Sequence, residues 1–192
     1  MSKIAIFGGT FDPVHKAHTQ IAKLALQSFD LKKLIFVIAY APPHKAKQYA
    51  GIEHRISMLQ LASGNIKKTE INFYEFQKSQ VVYSYQTLDH FQNLYPDDEI
   101  YMIIGSDSLV NLSEWKNINY LSHSYKFIVA KRPGIIINKN TKYLDKCIFI
   151  NKDAADISST GIRKLIKEDD KTAVSLLDKK VYDYIIQNKL YG

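Results

Sequence analysis

Cysteine and arginine are both scarce in this sequence of 192 residues, and each shortage excludes a class of protein. Cys147 is the only cysteine, so the chain cannot form an internal disulfide or a zinc site with several thiolates. Arginine occurs three times, and the formal net charge of +7 comes mainly from scattered lysines. Because no arginine-rich or aromatic-basic stripe is present, the charge argues against nucleic-acid binding and favours a solvated surface that weakly attracts polyphosphates.

Long apolar runs are also missing, and none approaches the length that crosses a bilayer. The first residues enter a strand directly, without a basic leader followed by an apolar segment. We therefore expect a soluble, cytoplasmic protein that does not contact membranes. With 46% hydrophobic residues, no internal repeat and no clean linker, residues 1–192 are expected to form one domain with a helical portion at about 158–192.

Two familiar glycine motifs of nucleotide-binding proteins are absent. Positions 8–18 satisfy neither the G-x-G-x-x-G fingerprint of dinucleotide-binding proteins nor the G-x-x-x-x-G-K-[ST] pattern of P-loop proteins. The segment therefore favours neither a dehydrogenase nor a Walker-type ATPase.

What stands at these positions is a different arrangement of glycine and histidine between a strand and a helix. Gly8 and Gly9 follow an apolar run and are predicted to let the backbone turn sharply towards an anion at the next helix entrance. His15 and His18 are three residues apart, so they share one helix face and can both donate to phosphate oxygens. The alternative is an ordinary turn with incidental surface histidines. Two histidines behind a double glycine favour a phosphate site.

Apolar runs alternate with amphipathic stretches along the rest of the chain. Continuous runs at 34–39 and 100–104 are typical of strands covered on both faces. Further strands are predicted at 4–7, 71–76, 127–130 and 147–150. Helices are predicted at 17–29, 54–62, 84–94 and 109–121, near Gly161 behind Ser158, Ser159 and Thr160, and along an apolar face of Val174, Leu177, Val181, Tyr184 and Ile185. This alternation predicts an α/β fold, a Rossmann-like, doubly wound parallel sheet with C-terminal helices.

Polar segments follow four of the predicted strands. They are 8–10, 42–45, 105–107 and 158–163. Ligands bind beyond the carboxyl ends of the strands in an open parallel sheet. We therefore expect these segments to converge on one crevice.

Two of these segments carry a family resemblance. Residues 8–18 resemble the GGTFDP[IV]HxGH signature of the nucleotidyltransferases, and residues 157–163 resemble their ISSTxIR motif. Segments 42–45, 83–88, 105–107 and 181–191 resemble the bacterial nicotinate-nucleotide adenylyltransferase family, so the likeness spans nearly the whole chain. One departure is Ala17, where the family usually has glycine. We expect the methyl group to be tolerated unless the backbone there must touch a phosphate oxygen.

The resemblance implies transfer of AMP from ATP to nicotinate mononucleotide, giving nicotinate adenine dinucleotide and pyrophosphate in NAD biosynthesis. It implies Mg²⁺ as the cofactor, brought with ATP and held mainly by the phosphates rather than by a protein metal site. Phosphopantetheine adenylyltransferases share both motifs, but they have Thr where this chain has His15, are shorter and lack the 42–45 loop. A non-catalytic nucleotide-binding module of the same fold is a third possibility. The preference for the acid or the amide mononucleotide stays open, as does the oligomeric state, a homo-oligomer included.

The resemblance also implies roles for individual residues. The residues implied in catalysis are His15, His18, Lys45 and Arg163, with His18 foremost at the transition state. Those implied in ATP binding are Gly8, Gly9, Thr10, Phe11, Gly105, Asp107, Ile157, Ser158, Ser159 and Thr160. Those implied in binding the mononucleotide are His44, Thr87, Trp115 and Arg132. Ser159, Thr160 and Arg163 would hold the β- and γ-phosphates, and Asp107 would contact the adenosine ribose.

Several of these residues also have a purely structural interpretation. Lys45 after a proline pair could be a solvated loop residue, Asp107 a helix N-cap and Trp115 a core side chain. Asp12 is expected to shape its turn through hydrogen bonds to its own backbone. The remaining histidines, which no motif supports, are expected to be ordinary surface or packed residues; they are His54, His90 and His123.

Overall fold

The computed structural model describes residues 1–40 and 48–192. Its strands form a single six-stranded sheet in the order β3-β2-β1-β4-β5-β6, and every neighbouring pair is parallel. The strands are β1 (Lys3–Gly9), β2 (Leu31–Ile38), β3 (Thr69–Asn72), β4 (Glu99–Gly105), β5 (Lys126–Ala130) and β6 (Cys147–Phe149). The strand order reverses between β1 and β4, which is the topology of a doubly wound sheet. The predicted fold class is confirmed.

Helices connect the strands and cover both faces of the sheet. In the described residues they are α1 (Lys16–Ser28), α2 (Ile52–Ser63), α3 (Tyr74–Lys78), α4 (Ser84–Leu94), α5 (Ser106–Val110), α6 (Ile118–Ser124), α7 (Ser159–Lys167), α8 (Ala173–Leu176) and α9 (Lys179–Gln187). Short 3₁₀ turns occupy Leu112–Glu114 and Leu144–Lys146. None of these helices is long and apolar enough to span a membrane.

The sheet is buried on both faces because successive strand residues point to opposite sides. On one face, strand side chains pack with those of α1, α2 and α9; this cluster includes Ala5, Ile21, Phe36, Met58 and Val181. On the other face they pack with those of α4, α5 and α6; this cluster includes Ile6, Val37, Leu88, Leu109 and Leu121. The continuous apolar runs that predicted β2 and β4 reflect this double burial.

One predicted strand is too long. The prediction extended it over 71–76, but β3 ends at Asn72. The Asn72 Oδ1 atom accepts a hydrogen bond from the Tyr74 N–H at 2.8 Å, and α3 begins at Tyr74. A local turn of this kind competes successfully with continuation of the sheet.

Other helical boundaries also differ from the prediction. The stretch 109–121 is not one helix but the end of α5, a 3₁₀ turn and α6. The terminal helix is broken between α8 and α9, where the Asp178 carboxylate accepts from the Lys180 N–H and caps α9. Val174 is consequently exposed, while Ala173 takes the buried position. Helix α7 begins at Ser159 rather than near Gly161, whereas α4 has the predicted bounds.

Candidate active site

A cavity of about 450 Å³ opens at the carboxyl ends of the strands, around the switch point between β1 and β4. Most of the predicted site residues line it. They are Gly8, Gly9, Thr10, Phe11, His15, His18, Gly105, Asp107, Trp115, Arg132, Ser158, Ser159 and Thr160. The expected convergence of the segments after β1, β4 and β6 is therefore present in the structure.

The glycines after the first apolar run do not make the turn that the sequence suggested. Gly8 and Gly9 are the last residues of β1, and the left-handed backbone conformation occurs at Phe11, with φ 49°. Gly9 is needed for close approach instead. A Cβ atom there would lie 2.9 Å from the ring of Phe11, which is 1% exposed. At Gly8 the nearest atom to such a Cβ would be 3.9 Å away.

The two histidines of the signature are in contact. Their rings stack with centroids 3.8 Å apart, and the backbone N–H of His15 donates to Nδ1 of His18 at 3.2 Å. Because Nδ1 of His18 accepts this hydrogen bond, the ring proton of the neutral imidazole lies on Nε2. The Phe11 ring packs edge-on against the His18 ring, with the two ring centroids 5.1 Å apart. The pair is thus oriented by the entrance of α1 and by the turn that precedes it.

His15 is a neutral imidazole at physiological pH. It is 3% exposed, and burial lowers its pKa to about 3, with Arg132 adding to the effect. In the unliganded cavity His15 therefore offers a neutral ring rather than a positive charge. Positive charge in this part of the cavity must come from other groups.

The second motif is joined to the first by direct hydrogen bonds. Ser159 Oγ donates to the Pro13 carbonyl at 2.9 Å, across 146 positions of sequence. Ser158 caps α7, because its Oγ accepts from the Gly161 N–H at 3.1 Å. The amino-terminal end of α7 therefore faces the histidine turn with its partial positive charge. Ile157 does not line the cavity; it is partly buried against the core.

Arg163 lies one turn into α7, behind the cavity wall. Its Nη1 donates to the Asp12 carbonyl at 2.7 Å, and its Nη2 donates to Thr160 Oγ1 at 3.0 Å. The guanidinium also lies 3.9 Å from the centroid of the Tyr49 ring. The structure thus places Arg163 on the same side as the histidines, in contact with a cavity residue but not itself among the lining residues.

The wall beyond β4 and β5 carries an ion pair. Asp107 Oδ1 lies 3.3 Å from Nε of Arg132, and the Arg132 N–H donates to Ser106 Oγ at 2.9 Å. The N-cap interpretation of Asp107 is wrong, because Gly105 is the N-cap of α5 and Asp107 lies in its first turn. A side chain at Gly105 would collide with the Asp107 carboxylate. Gly105 therefore lets this acidic group lie against the backbone at the cavity edge.

Trp115 and Thr87 have different positions relative to the cavity. Trp115 lines it and also packs against the second core cluster, so the binding and packing interpretations both describe its surroundings. Thr87 is 2% exposed and does not line the cavity. Its hydroxyl donates to Glu75 Oε1 at 2.8 Å, so it supports a lining residue from behind.

Glu75 is a candidate residue that sequence reasoning missed. Its side chain lines the cavity, and burial raises its pKa to about 7, an effect that the Thr87 hydroxyl partly opposes. The sequence alone does not indicate this property, because position 75 lies inside a predicted strand and the burial of Glu75 depends on distant elements. A carboxyl group that titrates near neutrality beside a cavity is a functional candidate.

The Asp12 carboxylate does not bond to its own turn, contrary to expectation. It accepts from the N–H groups of Tyr49 at 2.8 Å and Ala50 at 3.1 Å, ahead of α2. The predicted contributors His44 and Lys45 lie in the segment 41–47, outside the described residues. In the part of the chain that the structure describes, no cluster of three or more His, Cys, Asp and Glu side chains is placed to hold a metal ion.

The remaining histidines do not line the cavity. Nδ1 of His54 lies 2.9 Å from the Tyr184 hydroxyl, His90 stacks on Tyr74 with centroids 3.8 Å apart, and His123 is exposed on α6. They match the expectation of packed or surface residues.

Comparison with known proteins identifies the class of protein. The model of the cytidylyltransferase-like family, part of the nucleotidyltransferase superfamily, matches residues 6–165. That span contains the carboxyl end of β1 with its histidine turn, strands β2 to β6 and most of α7.

Full-length relatives identify the family within this superfamily. A curated protein of Endomicrobium trichonymphae, named probable nicotinate-nucleotide adenylyltransferase, is 69% identical over 192 residues and covers all of both chains. A protein of Clostridium acetobutylicum with the same name is 40% identical over 202 residues, again covering all of both chains. This chain therefore belongs to the nicotinate-nucleotide adenylyltransferase family.

Solved structures support the fold. Nicotinic acid mononucleotide adenylyltransferase of Plasmodium falciparum, complexed with APC, aligns with a TM-score of 0.83 at 24% identity. The alignment covers 100% of this chain and 98% of that one, and the same protein complexed with NaAD aligns equally well. At this identity the likeness establishes the shared fold.

Proposed function

We propose that this protein transfers the adenylyl group of ATP to nicotinate mononucleotide. A phosphate oxygen of the mononucleotide attacks the α-phosphorus of ATP, a new P–O bond forms, and the bond between the α-phosphorus and the bridging oxygen breaks. The electron pair of that bond leaves with pyrophosphate, and nicotinate adenine dinucleotide is the product. The attacking phosphate monoester is already largely ionised near neutral pH, so the reaction needs no general base.

One observation carries this proposal. The histidine turn after β1 and the amino-terminal end of α7 are hydrogen-bonded to each other and line the same cavity. An anion-binding helix end beside two imidazole donors suits a triphosphate. The 69% identity to a full-length relative named for this reaction supports the choice of chemistry.

The geometry suggests how the triphosphate is held. His18, with its proton on Nε2, is the proposed donor to the charge that develops on the α-phosphoryl group. The amide groups of Ser159 and Thr160, at the start of α7, are proposed to bind the β- and γ-phosphates. Arg163 supplies positive charge directly behind Thr160, to which it is hydrogen-bonded. Catalysis then consists of positioning and electrostatic stabilisation.

The mononucleotide is proposed to occupy the part of the cavity bounded by Trp115. The indole offers a flat apolar surface on which a pyridine ring can stack. Ser84 and Glu75 line the same cavity, with Thr87 behind Glu75. Arg132, ion-paired with Asp107, is the one Lys or Arg residue among the described residues that line the cavity, and it is a proposed partner for substrate anions.

Magnesium is proposed to enter with ATP. The described residues offer no set of three metal-ligating side chains, and one of the carboxylates that line the cavity, Asp107, is paired with Arg132. Mg²⁺ often keeps water and substrate phosphates as its ligands, which such a cavity accommodates. When bound, the ion would neutralise charge on the triphosphate.

A product assay tests the proposal. Purified protein is mixed with Mg·ATP and one acceptor from a panel of nicotinate mononucleotide, nicotinamide mononucleotide and phosphopantetheine. We expect pyrophosphate and nicotinate adenine dinucleotide in equal amounts, with the highest kcat/KM for nicotinate mononucleotide. Turnover with phosphopantetheine alone would support the other adenylyltransferase family. ATP binding without turnover on any acceptor would indicate a non-catalytic module and refute the proposal.

A further inference from the structure

Below the candidate site lies a buried polar network that the proposed reaction does not use directly. Its members are Asp12, which is 3% exposed, Arg55, which is 2% exposed, and the hydroxyl of Tyr191. None of the three lines the cavity. They come from the turn after β1, from α2 and from the segment after α9. Buried charges of this kind persist only where partners compensate them.

Arg55 joins the ends of two neighbouring strands. Its Nη1 donates to the Thr10 carbonyl at 3.1 Å and to the Ala39 carbonyl at 2.7 Å. Thr10 follows β1, Ala39 follows β2, and both line the cavity. Burial lowers the pKa of the guanidinium, and the nearby Asp12 partly offsets that effect. A single rigid cation thus fixes the spacing of two pieces of the cavity wall.

Asp12 collects hydrogen bonds from distant parts of the chain. Besides the two amide donors ahead of α2, its Oδ1 accepts from the Tyr191 hydroxyl at 2.7 Å, across 179 positions. Its backbone carbonyl accepts from Arg163 at 2.7 Å. Burial and the bond to Asp12 raise the pKa of Tyr191, so its hydroxyl keeps its proton and remains a donor. The turn that carries the histidines is therefore held by hydrogen bonds from other elements of the fold as well as by its own backbone.

We propose that Arg55 and Tyr191 are positioning residues, which hold the turn between Thr10 and His15 in the geometry that the catalytic histidines require. Neither touches substrate. Tyr191 acts through the Asp12 carboxylate, and Arg55 acts through the Thr10 carbonyl. The same Asp12 also accepts from Arg163, so the network connects both motifs of the site. The kinetic readout of this inference rests on the proposed function; its structural readout does not.

The hydroxyl of Tyr191 can be removed with little loss of packing, and the chain offers a matched control. Tyr191→Phe deletes the bond to Asp12 in the signature turn. Tyr184→Phe deletes a bond between a tyrosine hydroxyl and Nδ1 of His54 on α2, and this bond does not reach the turn. Both variants are expected to fold, and Tyr191→Phe should lose more stability because its hydroxyl bonds to a buried carboxylate. Only Tyr191→Phe should lower kcat, by about tenfold, with KM for ATP changed less than about twofold.

Equal kcat values for the two variants would overturn the inference, since the Tyr191 bond would then be structural only. Hydrogen exchange of residues 9–15 gives a readout that needs no turnover. We expect faster exchange there in Tyr191→Phe than in Tyr184→Phe, and the same exchange in both would again contradict the proposal. If the wild-type protein turned over no acceptor, the proposed function would fail while the exchange experiment still tested the network.

Arg55→Lys provides a second variant that keeps the buried charge. Lysine is a point donor on a flexible stem and does not reproduce the rigid fork of arginine. We expect the same pattern as for Tyr191→Phe, namely lower kcat and faster exchange of residues 9–15. Wild-type values of both in a folded Arg55→Lys protein would remove Arg55 from the proposal.

Discussion

At the scale of single residues, the proposed role of His18 follows most directly from its contacts. Its Nδ1 accepts a hydrogen bond from the backbone N–H of His15, and its ring packs against Phe11, so Nε2 is held in a defined direction. A donor fixed before the reaction stabilises developing charge without reorganisation.

We predict that His18→Ala folds but loses roughly two to three decades of kcat, comparable with removal of one preorganised oxyanion donor. Steady-state kinetics with saturating Mg·ATP and nicotinate mononucleotide measure the loss. His123→Ala, at an exposed position on α6, is the control and should keep wild-type turnover. An unchanged kcat in His18→Ala would exclude the assigned role.

Glu75 gives a prediction about pH and stability. Its pKa rises from 4.5 to about 7 on folding because of burial. A raised carboxyl pKa means that the folded state binds the proton more tightly than the unfolded state. The contribution to the free energy of unfolding is thus fully present below pH 4.5 and is lost as the pH rises towards 7.

Glu75→Gln should remove that dependence while keeping an oxygen acceptor for the Thr87 hydroxyl. Urea unfolding should show that, between pH 5 and 8, the free energy of unfolding of the wild type falls by up to about 3 kcal/mol more than that of the variant. Glu53→Gln, at an exposed position of α2, serves as the control and should follow the wild type. Parallel curves for Glu75→Gln and the wild type would show that burial does not raise the pKa of the Glu75 carboxyl group.

The sequence allowed prediction of residues that act through their type and spacing, and not of those that act through tertiary neighbours. The histidine pair and the Ser158 cap follow from local spacing and hydrogen-bonding capacity. The partners of Asp12 could not be foreseen, because they come from α2, α7 and the segment after α9. Glu75 likewise becomes unusual only when α4 and the sheet enclose it.

At the scale of elements, the predictions succeeded where burial sets the pattern and failed where a local turn competes. Double burial made β2 and β4 recognisable, and α4 has its predicted bounds. The turn at Asn72 shortened β3, and the cap at Asp178 divided the last helix. Apolar periodicity continues across both interruptions, so periodicity alone does not show them.

The end of β1 offers a prediction at this scale. Gly9→Ala should lower the free energy of unfolding by about 1–3 kcal/mol, because the new methyl group meets the buried Phe11 ring and overpacks the site. Gly8→Ala is the matched control, since a Cβ there lies 3.9 Å from its nearest neighbour. Urea denaturation compares the two variants. Equal stability would mean that the Phe11 ring can move away from the new methyl group without loss of free energy.

At the scale of the whole molecule, the parallel topology explains why motifs far apart in sequence meet. Strands β1 and β4 are neighbours although four helices and two strands of the described residues separate them in sequence, and their carboxyl ends open on one cavity. The sequence predicted this convergence from the alternation of elements. It did not predict the direct bonds between the two motifs, which depend on how α7 docks against the turn after β1.

The central claim is that the first and last motifs form one triphosphate site. The most direct test is the affinity of a non-hydrolysable ATP analogue, measured by titration calorimetry for the wild type, Arg163→Ala and Lys164→Ala. Loss of a charge-assisted bond predicts roughly 10- to 100-fold weaker binding for Arg163→Ala. Lys164→Ala, at the exposed neighbouring position, should bind as the wild type does. Wild-type affinity in Arg163→Ala would contradict the claim.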